Sequence, residues 1–352
     1  MERILYTADA PGVLLDVIIA EASPASLFIL ADENTAVHCM PVLLGSSESA
    51  AGATLLVTPA GDGRKTLDAA ESLWHRLVDA GATRSSMLVN LGGGMVSDLG
   101  GFVASTFKRG MRYVNVPTTL LGAVDAAVGG KTGINFAGLK NEVGVFARPE
   151  STIVSTCFFA TLPQQELLSG YAEMLKHALL SGTDATARAL SEVPDVHGGG
   201  LLDMMRESIS CKERIVASDP TEKGPRKALN LGHTFGHAFE EFASERRRPV
   251  SHGHAVAMGI VAELVLSRMI YGFPASTLYA VAAFVRENYA GLDVSCDDYP
   301  RLLGLMAHDK KNASPDAISF SLLHAPGSPA VDSIVNATDI RAALDIYRDL
   351  MQ

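Results

Sequence analysis

The chain has 352 residues, more than one ordinary hydrophobic core organises, so two domains are expected. A hydrophobic content of 47% with 19% charged residues describes a folded globular protein and excludes a disordered one. The net charge of −10 argues against nonspecific nucleic-acid binding, which needs a basic surface, while an anionic substrate can still bind where cations cluster locally.

In chain order, SLFILAD reads as a buried strand ending at Asp32, and ATLLVTPAGDG as a strand and turn. KTLDAAESLWHRLVDAG has apolar residues at helical spacing and stops at Gly81. SSMLVNLGGG is a strand running into a glycine turn, MRYVNVPTT a strand closed by Pro117, and STIVS one more short strand. Strand–helix alternation of this kind predicts a mostly parallel sheet covered by helices. After Leu162 the texture changes: LPQQELLSGYAEMLKHALLSG, LLDMMRESISCKERIVAS, LNLGHTFGHAFEEFAS, GHAVAMGIVAELVLSRMI and ASTLYAVAAFVRENYA are all helix-like in period and length. The expected organisation is an α/β domain over 1–162 and a helical domain over 163–352. DVHGGG and ERRRPV, at 195–200 and 245–250, read as loops.

Cys39, Cys157, Cys211 and Cys296 are far apart and lack CxxC spacing, which predicts reduced thiols rather than a disulfide scaffold or a cysteine metal site. MERILYTADA has no basic region followed by an apolar run, so no secretory signal is expected and the reducing cytoplasm is the expected location. The apolar stretch AVAMGIVAELVLSRMIY is broken by Glu263 and Arg268, which predicts a core helix and no membrane span.

Gly92, Gly93 and Gly94 follow a strand, with Asp98 beyond them. Glycines let a backbone approach a pyrophosphate, and a helix N-terminus turns its N–H groups toward phosphate. The spacing is not GxGxxG, so the ordinary dinucleotide fingerprint is absent, and a plain tight turn fits equally well. Asp32, at a strand end, suits ribose hydroxyls, and Thr118 and Thr119 offer two more hydroxyls at another. In AVDAAVGGKTGINFAGLKNEVG, Asp125, Lys131, Lys140 and Asn141 sit among glycines. The segment reads either as a phosphate or carboxylate site or as a surface loop with solvated lysines.

Three later segments each carry a metal ligand candidate beside a cation or amide: Glu173 with Lys176 and His177; His233 and His237 with Arg226 and Asn230; and His252 with His254. The HxxxH pair shares a helix face. One carboxylate with imidazoles suits zinc or a similar divalent ion with a coordination position open to substrate oxygens. Lys212 and Arg226 suit phosphate or carboxylate recognition. A metal and a dinucleotide together imply polarised hydroxyl chemistry with hydride transfer.

Taken in order, GGGMVSDLGGFVAS, KRGMRYVNVPTTLLGAVDAAVGGKTGIN, LKNEVGVF, YAEMLKHALL, DPTEKGPRKALNLGHTFGHAFE, HGHAVAMG and HDKKN make the chain resemble the 3-dehydroquinate synthase family of the sugar-phosphate cyclases. The resemblance implies a Rossmann-like N-terminal domain, a helical C-terminal domain, NAD, Zn2+ or Co2+, a small phosphorylated sugar-acid substrate and a homodimer. It implies metal ligands Glu173, His233 and His252, and NAD contacts from Asp32, Asp62, Lys65, Gly93, Gly94, Asp98, Thr118, Thr119, Lys140 and Thr161. It implies substrate contacts from Asp125, Lys131, Asn141, Lys176, Lys212, Arg226, Asn230 and His237, from Lys310 or Lys311 of HDKKN, and from Arg109 across the dimer. The implied reaction converts 3-deoxy-D-arabino-heptulosonate 7-phosphate to 3-dehydroquinate and phosphate. The chain departs from the family pattern at His254, where glutamate is usual, and at Asp62, which stands in for glutamate. The competing expectations are another sugar-phosphate cyclase and a metal-dependent polyol dehydrogenase.

Overall fold

A computed structural model describes residues 3–191, 200–307 and 317–352. The chain divides into two compact units, Met1–Pro163 with Asp195–Ile209, and Gln164–Pro194 with Ser210–Gln352.

The first unit runs β1 (Ile4–Thr7), α1 (Pro11–Ala22), β2 (Leu27–Asp32), α2 (Glu33–His38), α3 (Met40–Leu44), α4 (Glu48–Ala51), β3 (Thr54–Thr58), α5 (Leu67–Asp79), β4 (Met87–Gly92), α6 (Gly94–Thr106), β5 (Arg112–Pro117), β6 (Lys131–Phe136), β7 (Leu139–Phe146) and β8 (Ser151–Ser155). Six strands form one sheet in the order β1-β8-β5-β4-β2-β3. All its pairs are parallel. The interior strands β4 and β8 are buried at every residue, as a sheet covered on both faces requires. Leu73 and Leu77 of α5 and Leu99 and Val103 of α6 pack with Phe28, Leu30 and Leu88 of the sheet. The chain leaves β2 toward β3 on one side and β4 toward β5 on the other. Crevices at the carboxyl ends of strands where the winding reverses are the usual ligand positions of such sheets.

The glycine-rich segment after β5 is more ordered than a loop. Gly122–Ala126 forms a π-helical turn, and β6 and β7 form a separate antiparallel hairpin.

The second unit contains α7 (Gln164–Ser181), α8 (Thr183–Ser191), the later part of α9 (Leu201–Ser218), α10 (His233–Glu245), α11 (His252–Tyr271), α12 (Ala275–Tyr289), α13 (Tyr299–Ala307), β9 (Ala317–Ala325), β10 (Ser328–Asn336) and α14 (Ala337–Met351). The expectation of helices alone missed the β9–β10 antiparallel hairpin. The helix expected to begin at Leu229 starts only at His233, after a 3-10 segment, Pro225–Asn230. Helix α11 is the central element. It is long and apolar enough to cross a membrane, yet 78% of its most apolar window is buried within the fold, as a core helix requires. The loop expected around 245–250 separates α10 from α11, whereas most of the one expected at 195–200 lies outside the described residues.

Candidate active site

In the second unit, Glu173 lies on α7 with no exposed surface. Its Oε1 stands 3.6 Å from His233 Nε2 and 3.8 Å from His252 Nε2. Ligand atoms of these three residues all lie within 4.8 Å of one another. Neither Glu173 oxygen receives a hydrogen bond, although Lys176, one helical turn on, forms an ion pair with it. A buried carboxylate normally demands hydrogen-bond donors or a cation. Two imidazole nitrogens that face it without bonding it describe a cation site.

The imidazoles are oriented from behind. His233 Nδ1 is 3.2 Å from the Leu231 carbonyl, and His252 Nδ1 is 3.4 Å from Glu240 Oε2. Each contact favours the tautomer with the proton on Nδ1, leaving the Nε2 lone pair toward Glu173. Both histidines are also the first residues of their helices, α10 and α11. Each helix start thus places an imidazole beside the Glu173 carboxylate. The donor set therefore fits a divalent ion of the zinc type.

His237, the second histidine of HxxxH, is exposed and packs its ring against those of His233 and His252, at 5.3 and 5.8 Å. It borders the ligand group without joining it. His254 is likewise outside that group. Its Nδ1 is 2.7 Å from the hydroxyl of Ser251, the N-cap of α11, which also accepts the His254 N–H. Burial lowers the His254 pKa, so the neutral ring is favoured. Where a glutamate would reach back to the Ser251 N–H and close a capping box, the His254 ring bonds the cap hydroxyl instead.

Lys176, Lys212 and Arg226 are buried cations, 1%, 6% and 2% exposed. Arg226 donates to the Pro220 carbonyl at 2.8 Å from the 3-10 segment that also holds Asn230. The Asp219 carboxylate binds the N–H groups of Lys223, Gly224 and Arg226 and so folds the turn that carries Arg226. Asn230 donates to Glu222 at 3.0 Å. Lys212 lies on α9, whose preceding Cys211 thiol contacts the His177 carbonyl of α7 at 3.4 Å.

In the first unit, Gly93 is the N-cap of α6 and offers no side-chain cap to the helix. A Cβ on Gly93 would stand 3.0 Å from Thr119 Cγ2, and one on Gly94 3.0 Å from Ala126 Cβ. Close packing of the protein on itself thus already requires small residues here. Thr119 accepts the Gly122 N–H, while the Thr118 hydroxyl is buried without a hydrogen bond. Asp32 ends β2 beside this turn and caps α2 through Oδ1, which accepts from Asn34 and Thr35. An open helix N-terminus, a buried hydroxyl and a carboxylate, all at the sheet's reversal, fit a dinucleotide.

Lys65 pairs with Asp98 at 2.8 Å and Asp62 at 3.2 Å, and Lys140 approaches Asp62 at 3.7 Å. Burial works against the Lys65 ammonium, but the two carboxylates overcome it and raise its pKa, while burial raises Asp98 against the pull of Lys65. Asn135, which sequence reasoning missed, ties the network together. It binds the Lys65 carbonyl through its N–H and the Asp62 carbonyl through its amide, and accepts the Asn141 N–H. Asp125 lies in the π-helical turn, and Lys131 and Asn141 lie exposed on the β6–β7 hairpin. Arg109 is exposed in a turn where Lys108, Arg109 and Gly110 all have positive φ. Thr161 is exposed at the end of a 3-10 segment. Lys310 and Lys311 lie outside the described residues. Glu240, also missed as an orienting group, shares the helix face of His233 and His237 seven and three residues on, which was its one visible signal.

Solved structures first show the fold. The fold is shared with 2-deoxy-scyllo-inosose synthase complexed with carbaglucose-6-phosphate, NAD+ and Co2+, at TM-score 0.82 and 21% identity over 97% of this chain and 95% of that one. It is shared with 2-epi-5-epi-valiolone synthase from Streptomyces hygroscopicus with NAD+ and Zn2+ bound, at TM-score 0.83 and 22% identity over 99% and 97%. A glycerol dehydrogenase from Schizosaccharomyces pombe is more distant, at TM-score 0.66 and 14% identity over 100% and 90%. This is the sugar-phosphate cyclase fold. Within it, the chain belongs to the 3-dehydroquinate synthase family: the family's N-terminal model matches residues 55–169 and its C-terminal model residues 170–312. The 3-dehydroquinate synthase of Parabacteroides distasonis is 47% identical over 99% of this chain and 98% of its own length, and that of Pyrococcus abyssi 39% identical over 78% and 79%.

Proposed function

We propose that the protein converts 3-deoxy-D-arabino-heptulosonate 7-phosphate to 3-dehydroquinate and phosphate, with NAD and one Zn2+ or Co2+ per chain. Family membership supports this reaction over those of the sibling cyclases. The observation that carries the metal chemistry is the buried Glu173 carboxylate facing two Nε2 atoms. When bound, the nicotinamide supplies a reversible hydride acceptor for the C5 carbinol, and the divalent ion supplies positive charge beside the C4 and C5 oxygens.

The chain's own groups do the rest. Glu173, His233 and His252 hold the ion. His237, exposed beside two of these ligands, suits a proton relay from the carbinol. Lys131, Asn141, Lys212 and Arg226 suit the phosphate that leaves, and Arg109 suits contact with it across a homodimer. Lys176, or a lysine of HDKKN, suits the substrate carboxylate, with Asp125 and Asn230 positioning hydroxyls. The nucleotide is assigned to Asp32, Asp62, Lys65, Gly93, Gly94, Asp98, Thr118, Thr119, Lys140 and Thr161. The assigned nucleotide contacts all fall in the first unit and the metal ligands in the second. A cytoplasmic enzyme acting on a small molecule fits this assignment.

The test is incubation with the heptulosonate phosphate, catalytic NAD and Co2+. The expected result is one phosphate per dehydroquinate with no accumulated NADH. Phosphate without dehydroquinate would point to a sibling cyclase, and steady growth of NADH to a polyol dehydrogenase.

A further inference from the structure

Glu263 is a carboxylate in the middle of α11 with no exposed surface. Such a charge needs compensation, and the structure supplies it from a neighbouring helix. Glu263 Oε2 accepts the Gly232 N–H at 2.6 Å, and Oε1 accepts the N–H groups of Thr234 at 3.0 Å and Phe235 at 3.3 Å. These donors belong to the first turn of α10, whose own N-cap, Gly232, has no side chain to satisfy them. The charge therefore sits on the positive end of the α10 dipole, where an anion is stabilised.

The placement relative to His233 is specific. The N–H groups on either side of it in the chain, those of Gly232 and Thr234, are gripped by one carboxylate. The backbone of His233 is thereby pinned at two points, while its ring is turned by the Leu231 carbonyl. The same helix α11 begins with His252, so one rigid element carries one histidine and clamps the backbone of the other. Backbone contact between the helices is close enough that a Cβ on Gly259 would stand 2.1 Å from the Gly232 carbonyl oxygen.

We propose that Glu263 is a positioning residue for metal capture: it fixes the first turn of α10 so that His233 Nε2 meets Glu173 and His252 in ligand geometry. This rests on the metal reading above. Glu263 is outside the group of ligand atoms, and its oxygens are turned to backbone N–H groups instead.

The test uses the full chain, stripped by a chelator, with Co2+ as probe. Co2+ affinity and its visible absorption are measured for wild type, Glu263→Ala and Glu263→Gln. Hydrogen exchange of the first turn of α10 is followed in the metal-free proteins. Loss of an outer partner of a ligand costs about 10–100-fold in metal affinity, and a loss in that range is expected for Glu263→Ala, with an altered Co2+ spectrum and faster exchange. Glu263→Gln keeps one acceptor oxygen and is expected to fall between the two; it carries the test if Glu263→Ala does not fold. Unchanged Co2+ affinity in the folded variants, with only a lowered melting temperature, would make Glu263 merely structural and overturn the proposal alone. A wild-type protein that takes up no Co2+ would overturn the metal reading and the proposal with it.

Discussion

Glu173 combines two states that rarely coincide, full burial and two oxygens without hydrogen bonds. Glu173→Gln keeps the shape and removes the charge. Its Co2+ affinity should fall beyond the ~10–100-fold that outer partners of a ligand carry. A titration that gives the wild-type affinity would remove Glu173 from the ligand set. The departure at His254 has a local explanation, because Ser251 bonds both its ring and its N–H. Loss of one side-chain hydrogen bond costs about 1 kcal/mol, so His254→Ala should lower the unfolding free energy by that order in urea, and His254→Glu should restore it by closing the capping box. Equal stabilities for wild type and His254→Ala would contradict this role. Among the thiols, burial pushes Cys39 up to about 11, and Cys211 is also buried, whereas Cys296 is exposed. Iodoacetamide at mild alkaline pH should label Cys296 first and reach Cys39 and Cys211 only on unfolding; early labelling of Cys39 would show that its cover opens.

Helices α10 and α11 are the elements on which the candidate site depends, since each begins with a candidate ligand histidine. Their close crossing at Gly232 and Gly259 leaves no room for a side chain, and at Gly236 it is tight. Gly259→Ala should force the helices apart, costing about 1–3 kcal/mol of stability and weakening metal binding at the same time. Chemical denaturation and Co2+ titration on one sample check both; a stable variant with altered affinity, or the reverse, would separate crossing from site. Element by element, legibility followed the strength of the periodic signal. Strands β2, β4, β5 and β8 were readable as short apolar runs, and α5, α7, α11 and α12 by period and length. The β6–β7 hairpin was not, because every residue of β7 is exposed, so no core imprints an alternation on it. Leu229 and Asn230, the end of the 3-10 segment Pro225–Asn230, read as the start of α10, because a 3-10 segment and an α-helix share apolar spacing over so few residues.

For the whole molecule, the order of long motifs made the family legible, and the comparisons establish it. The family resemblance named Glu173, His233 and His252 as candidate metal ligands, and their ligand atoms do lie together, but the groups that orient them were not named. Glu240, Leu231 and Glu263 act through a ring tautomer or a backbone N–H, and beyond the shared helix face of Glu240 nothing in residue type or spacing marks such contacts. Asn135 was hidden for the same reason, since two of its bonds go to main-chain carbonyls. What the sequence shows directly is chemistry on side chains; what it conceals is how the backbone is held. The most direct measurement of the central claim is metal reconstitution: turnover of the heptulosonate phosphate by chelator-stripped protein as Co2+ or Zn2+ is added back. Activity should be absent at first and complete at one ion per chain, with no such recovery at that point in Glu173→Gln or His233→Ala. Full turnover by the stripped protein, or wild-type recovery in either variant, would contradict a site built from Glu173, His233 and His252.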